Sequence, residues 1–191
     1  MNNFFNIVLL GAPGSGKGTQ ATLISNHYQL EHISTGDMFR KEIEARSEIG
    51  MTVKKILDEG RLCPDNLTLD MLVHYLSRFK QVKGFILDGV PRTLEQAQMM
   101  DGINYGHTVP INMVLYLTVN KTEIVERLSK RAQLLNRSDD DPQIIQQRIM
   151  NYEKLTEPLV KYYSQKGILH EINGMRTVEE VFEDICNCIG K

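Results

Sequence analysis

Short apolar runs alternate along the chain with longer stretches whose apolar residues recur at helical spacing. Phe5 to Leu10, Gly84 to Leu87, Asn112 to Val119 and Ile168 to Ile172 are short and largely apolar, the pattern of strands covered on both faces. A weaker run covers Leu30 to Ile33. Leu69, Leu72, Val73, Leu76 and Phe79 fall at i, i+3, i+4, i+7 and i+10, which predicts one apolar helix face. Three further helices announce their starts. Asn120 stands three residues before Glu123 and just ahead of Ile124, Val125 and Leu128, an N-cap position. Asp141 followed by Pro142 predicts a cap and a first-turn proline for a helix carrying Ile145, Ile149 and Tyr152. Thr177 and Glu180 have capping-box spacing ahead of Val181, Phe182 and Ile185. Strands and helices alternating in this way predict an α/β domain built on a doubly wound, five-stranded parallel sheet.

Directly after the first run the chain reads Gly11-Ala12-Pro13-Gly14-Ser15-Gly16-Lys17-Gly18-Thr19, followed by a helical stretch from Gln20 to His27. Gly11, four intervening residues and then Gly16-Lys17 is the spacing of a P-loop. Glycines there let successive N–H groups turn inward onto phosphate oxygens at a positive helix end. Lys17 adds a point charge for the outer phosphates. The hydroxyl residue that usually follows the lysine is replaced by Gly18, and Thr19 comes one place late. A metal ion bound here is therefore expected to be held mainly by phosphates and water. Asp88, at the carboxyl end of the run Phe85-Ile86-Leu87, offers an acidic anchor acting through water, with an ordinary strand-end turn before Gly89 as the plainer reading.

Charge narrows the partners. Lys plus Arg number 22 against 24 Asp plus Glu, a net charge of -2, which excludes the wholesale basic field of a protein living on nucleic acid or an anionic membrane. Any anion must be held by a local cluster. Arg127 and Arg131 lie four apart on a predicted helix and share a face, Arg137 follows, and Arg148 lies within the next helix. Planar guanidinium groups bridge phosphates bidentately; a solvated basic face is the alternative. Cys63, Cys186 and Cys188 are too few for a disulfide framework or a structural zinc site, and the five histidines show no ligand spacing. These features, with no signal-peptide-like or membrane-length apolar run, lead us to expect a cytoplasmic protein of 191 residues in one domain.

GAPGSGKGTQ at 11–20, STGDMFR at 34–40, DGVPRT at 88–93 and NRSDD at 136–140 occur in an order and spacing that resemble the adenylate kinases across nearly the whole length. The resemblance implies a single P-loop kinase domain over 1–191, with a flap at 34–63 closing over AMP and a short lid at 130–140 closing over ATP. It implies that Gly14, Ser15, Gly16, Lys17, Gly18 and Thr19 cradle ATP, that Arg127 stacks on its base, that Arg131 reaches its phosphates and that the backbone near Arg176 meets its adenine. On the AMP side it implies Thr35, Arg40, the adenine-pocket segment Arg61, Leu62 and Cys63, then Gly89, Val90 and Pro91, Arg92 on the phosphate and Gln96 on the adenine edge. Arg137 and Arg148 would span both sets of phosphates, with Asp139 and Asp140 orienting the lid arginines. Lys17, Arg92, Arg131, Arg137 and Arg148 would then be the catalytic set, Mg²⁺ the cofactor with Asp88 behind it, ATP and AMP or ADP the substrates, and a monomer the working form.

Arg137 comes six positions after Arg131 with no cysteine set between them, so the lid resembles the short, zinc-free type. Val90, Cys63 and Asn66 depart from the family's usual residues and are expected to loosen the AMP pocket; Ala132 and Asn136, in place of glycines, are expected to stiffen the lid. Three other readings stay open. A pyrimidine monophosphate kinase has the same chemistry, although Thr35, Thr93 and Gln96 match the adenine-accepting pattern. A regulatory GTPase is suggested by Asn120-Lys121-Thr122-Glu123, which ends in Glu where the guanine-reading motif has Asp. A nucleotide-binding module without turnover is the third.

Overall fold

The computed structural model describes residues 5–102, 111–135 and 141–190. Five strands, β1 (Ile7–Gly11), β2 (Glu31–Ser34), β3 (Phe85–Asp88), β4 (Met113–Thr118) and β5 (Leu169–Asn173), form one sheet in the order β2-β3-β1-β4-β5. All pairings are parallel, with Ile7 opposite Ile86 on one side and Met113 on the other. The expected five-stranded α/β architecture is thus present, each strand end lying within two residues of its apolar run. β2, the weakest run, is an edge strand in which only Ile33 is buried, and the other edge strand, β5, likewise buries only Ile172.

Side chains alternate across the sheet and divide the core in two. Val8, Leu10, Leu87 and Val114 pack with Leu69 and Leu72 of α4 (Asp65–Leu76) and with Leu159 and Tyr163 of α8 (Pro158–Gln165). Ile7, Leu9, Ile86 and Leu115 face the opposite way, onto Ala21 and Ile24 of α1 (Lys17–Tyr28) and Val181 and Ile185 of α9 (Val178–Ile189). Helices therefore cover both faces, which is why the strands read as continuous apolar runs. A third cluster of Phe39, Val53 and Cys63 lies away from the sheet, between α2 (Thr35–Glu44) and α3 (Glu48–Asp58).

The local stop and start signals act as the sequence suggests. Asn120 Oδ1 accepts the Glu123 N–H at 2.9 Å and opens α6 (Lys121–Leu135). Asp141 Oδ1 accepts the Gln143 N–H at 2.9 Å at the start of α7 (Pro142–Asn151). Thr177 and Glu180 form the complete capping box of α9. Two helix ends differ from expectation. α4 stops at Leu76, and Phe79 reaches the core from the turn beyond it, its ring edge-on to Phe85. α7 stops at Asn151 and passes through one π turn, Tyr152–Thr156, so Tyr152 lies outside it. Pro158 explains the widening: it has no N–H to give Lys154, and its ring crowds that carbonyl, so the chain takes up an extra residue before α8. No described helix is long and apolar enough to cross a membrane.

Candidate active site

Connections leaving β1 and β4 run in opposite directions, toward β2 and β5, and ligands of open parallel sheets collect above such a divide. The glycine loop lies there, between the end of β1 and the first residue of α1. Gly14 and Gly16 have φ of 81° and 98°, a region that side-chain-bearing residues seldom enter. Gly14 is also pressed against α6, where an added Cβ would lie 2.9 Å from Leu128 Cγ. Lys17 Nζ donates to the carbonyls of Gly11 at 2.8 Å and Ala12 at 2.9 Å, so its ammonium rests on the loop itself. Burial lowers the Lys17 pKa to about 8; Asp88 opposes the drop, and Arg92, Arg148 and Arg131 add to it. Three arginines distant in sequence thus place their charges around one lysine.

Asp88 ends β3, beside β1. Burial pushes its carboxyl up, but His32, Lys17 and Arg92 outweigh that effect and hold the pKa below the ordinary carboxylate value. His32 Nε2 lies 3.7 Å from Asp88 Oδ2, beyond ordinary hydrogen-bond reach. The Asp88 carboxylate faces the loop, 3.6 Å from where a Cβ on Gly18 would sit.

A cavity of about 760 Å³ runs from the glycine loop past Asp88 to the α2–α3 unit. Gly14 through Thr19 form its wall together with Arg127 and Arg131, and Thr35, Arg40, Arg61, Leu62, Cys63 and Gln96 also line it. Asp88, Gly89, Pro91, Arg92 and Arg148 complete the set of expected residues on the wall. Thr35 Oγ1 donates to Gly89 O at 2.9 Å, and Arg92 Nε donates to the same carbonyl at 2.8 Å. Arg127 is anchored by Glu123 Oε1 at 2.7 Å and Gly174 O at 2.9 Å, while Arg40 pairs with Asp37. Burial pushes the Cys63 thiol up to about 11 against the pull of Arg92, so this residue is inert wall.

Val90 and the Arg176 side chain lie off that wall. Val90 is fully buried in the core beside the α4 leucines and does not reach the cavity, and its peptide bond to Pro91 is cis. The Arg176 guanidinium pairs with Asp184 on α9 at 3.0 Å and is not part of the wall, whereas Gly174 and Val178 from the same connection are. Ala132 lies inside a helix that continues to Leu135. Arg137, Asn136, Asp139 and Asp140 lie outside the described residues.

Sequence reasoning missed Asn151, Tyr152 and Thr156, which all line the cavity. Thr156 Oγ1 donates to Arg92 O at 2.8 Å and Asn151 Nδ2 to Gly60 O at 2.7 Å, so the π turn and its flank tie α7 to the opposite wall. The one available signal was a proline, Pro158, within an otherwise helical pattern.

A glycine loop closing on a lysine at the divide of a parallel sheet, facing a wall of arginines, defines a P-loop protein built to handle nucleotide phosphates. Comparison with known proteins narrows the class: the family model for adenylate kinase matches residues 9–168. Adenylate kinase of Bacteroides fragilis (strain YCH46) is 43% identical over 184 residues, covering 96% of this chain and 97% of the relative. That of Azobacteroides pseudotrichonymphae genomovar. CFP2 is 44% identical over 180 residues, 94% of each chain, and that of Xylella fastidiosa (strain M23) is 42% identical over 186 residues, 96% of this chain and 98% of the relative. The chain belongs to the adenylate kinase family.

Proposed function

We propose that this chain catalyses reversible Mg²⁺-dependent transfer of the γ-phosphoryl group of ATP to AMP, giving two ADP and keeping the adenine nucleotides in balance. One observation carries the reading: Lys17, Arg92, Arg131 and Arg148 bring their charges together on a single cavity that also holds the phosphate loop. The migrating group passes through a loose transition state with its charge on the equatorial oxygens, so positioned cations supply most of the rate. No general base is required, because the acceptor is already an anionic phosphate oxygen.

ATP lies along the glycine loop with Arg127 over its base, and AMP lies on the Thr35, Arg61 to Cys63 and Gln96 side. Arg92 holds the AMP phosphate, Arg131 reaches the ATP phosphates, and Arg148 spans the two together with Arg137, which lies outside the described residues. The segments 34–63 and 130–140 close over AMP and ATP, excluding water from the reactive phosphate. The donor set fits a magnesium ion that keeps most of its waters: Asp88 offers a lone carboxylate beside the loop, and no described group of three His, Cys, Asp or Glu could hold a metal by itself. The ion, when bound, would neutralise phosphate charge, and Asp88 would be the residue that holds it through water. The free thiols of Cys63, Cys186 and Cys188 fit a reducing, cytoplasmic setting, and the working form in this reading is a monomer.

ADP formation from ATP with AMP, UMP, CMP, or from GTP alone, followed in a coupled assay, tests the proposal. Turnover is expected with AMP far above the others; preference for UMP or CMP, or hydrolysis of GTP without an acceptor, would overturn it.

A further inference from the structure

The carboxamide of Gln96 is held from two sides. Its Oε1 accepts the backbone N–H of Arg92 at 2.7 Å, and its Nε2 donates to Asp65 Oδ1 at 2.7 Å. Gln96 is 2% exposed, so water offers little exchange for either contact. The two partners settle which way round the amide lies. Inverting it would set N–H against N–H at Arg92 and oxygen against a carboxylate at Asp65. Asp65 is the first residue of α4 and is not part of the cavity wall; its hydrogen bond to Gln96 links it to the cavity.

We propose that Asp65 is a specificity-determining positioning residue: by fixing the Gln96 carboxamide it admits a 6-aminopurine monophosphate and rejects a 6-oxopurine one. The inference rests on the reading of Gln96 as the residue that faces the purine edge. The pinned amide keeps one Oε1 lone pair and one Nε2 hydrogen for a ligand. A 6-aminopurine presents an N6 donor and an N1 acceptor, which complement them. A 6-oxopurine presents an O6 acceptor and an N1–H donor, so like meets like, and buried polar groups are left unpaired. Only an inverted Gln96 would accept it. The Arg92 amide resists inversion through one lost hydrogen bond, and Asp65 adds a second barrier because a carboxylate has nothing to donate.

The test is Asp65→Asn, which keeps the side chain's size and an oxygen for Gln96 Nε2, while its own amide can turn to donate to an inverted Gln96. Steady-state kinetics with AMP and inosine monophosphate are the readout. We expect kcat/KM for inosine monophosphate to rise, and the AMP preference to fall by about tenfold, with any loss toward AMP carried by KM and not kcat. Asp65→Ala, which leaves Nε2 to water, moves the ratio the same way. A purely structural role would depress both nucleotides together, and an unchanged ratio in both variants overturns the proposal. Gln96→Leu separates this failure from that of the reading beneath it. If Gln96→Leu collapses the ratio and the Asp65 variants do not, Asp65 alone is refuted. If Gln96→Leu also leaves the ratio intact, the placement of Gln96 at the purine edge falls with it.

Discussion

Replacing Lys17 with Met is expected to remove activity and to strengthen the fold. The Lys17 ammonium is half-buried with Arg92, Arg131 and Arg148 around it, and its pKa falls from 10.5 to about 8. Each pKa unit corresponds to about 1.4 kcal/mol, so the charged lysine costs the native state about 3 kcal/mol relative to the unfolded chain. Met is close in length and carries no charge, but it leaves the carbonyls of Gly11 and Ala12 without the Nζ donor, a loss of about 1–2 kcal/mol at this half-buried site. The variant should therefore be about 1–2 kcal/mol more stable at pH 7 by urea denaturation. The pH dependence gives the sharper check. Because the folded pKa lies below the unfolded one, the penalty is fully present below pH 8 and disappears as pH rises from about 8 to 10.5. Wild-type stability should thus gain on the variant over that window. A Lys17→Met protein that is less stable at pH 7, or a difference flat between pH 7 and pH 10, would refute the reasoning. Activity is expected to fall by about 10²–10³-fold or more, since a preorganised cation aimed at the migrating group is lost.

Arg148→Ala is expected to lower kcat by about 10²-fold or more with unchanged circular dichroism, and to raise the Lys17 titration followed by NMR of its ζ nitrogen, because one of the charges depressing it is gone. Gly14→Ala places a side chain at a φ of 81° and against Leu128, so weaker ATP binding and a loss of about 2 kcal/mol or more in urea denaturation are expected. Thr177→Ala removes the capping box of α9 and should cost about 1 kcal/mol of stability, read as a lower melting temperature, with kcat for ATP and AMP within about twofold of wild type.

What the sequence disclosed was set by how local each physical requirement is. The glycine loop was legible because a left-handed backbone at Gly14 and Gly16 and a lysine after it are requirements of consecutive residues. The caps at Asn120, Asp141 and Thr177 were legible for the same reason. The gathering of Arg92, Arg131 and Arg148 around Lys17 is a product of the sheet order, and without the family resemblance each arginine alone leaves a solvated charge as an open alternative. Val90 looked like a pocket residue because its motif borders the cavity, yet its side chain turns into the core. The bond from Gln96 to Asp65 spans 31 residues and left no periodic trace. The π turn showed only as Pro158, since a widened helix keeps the composition of an ordinary one.

The π turn also decides how load passes through the molecule. Thr156, at its far end, is fastened to the backbone of Arg92, and Asn151, at its near end, to the backbone of Gly60. Arg148 sits one helical turn further out on the same rod. A tilt of that rod about Thr156 would strain the bond from Asn151 to Gly60. On the function proposed above, a shift of Arg148 toward the ATP phosphates would be felt through Asn151 at Gly60, on the AMP side.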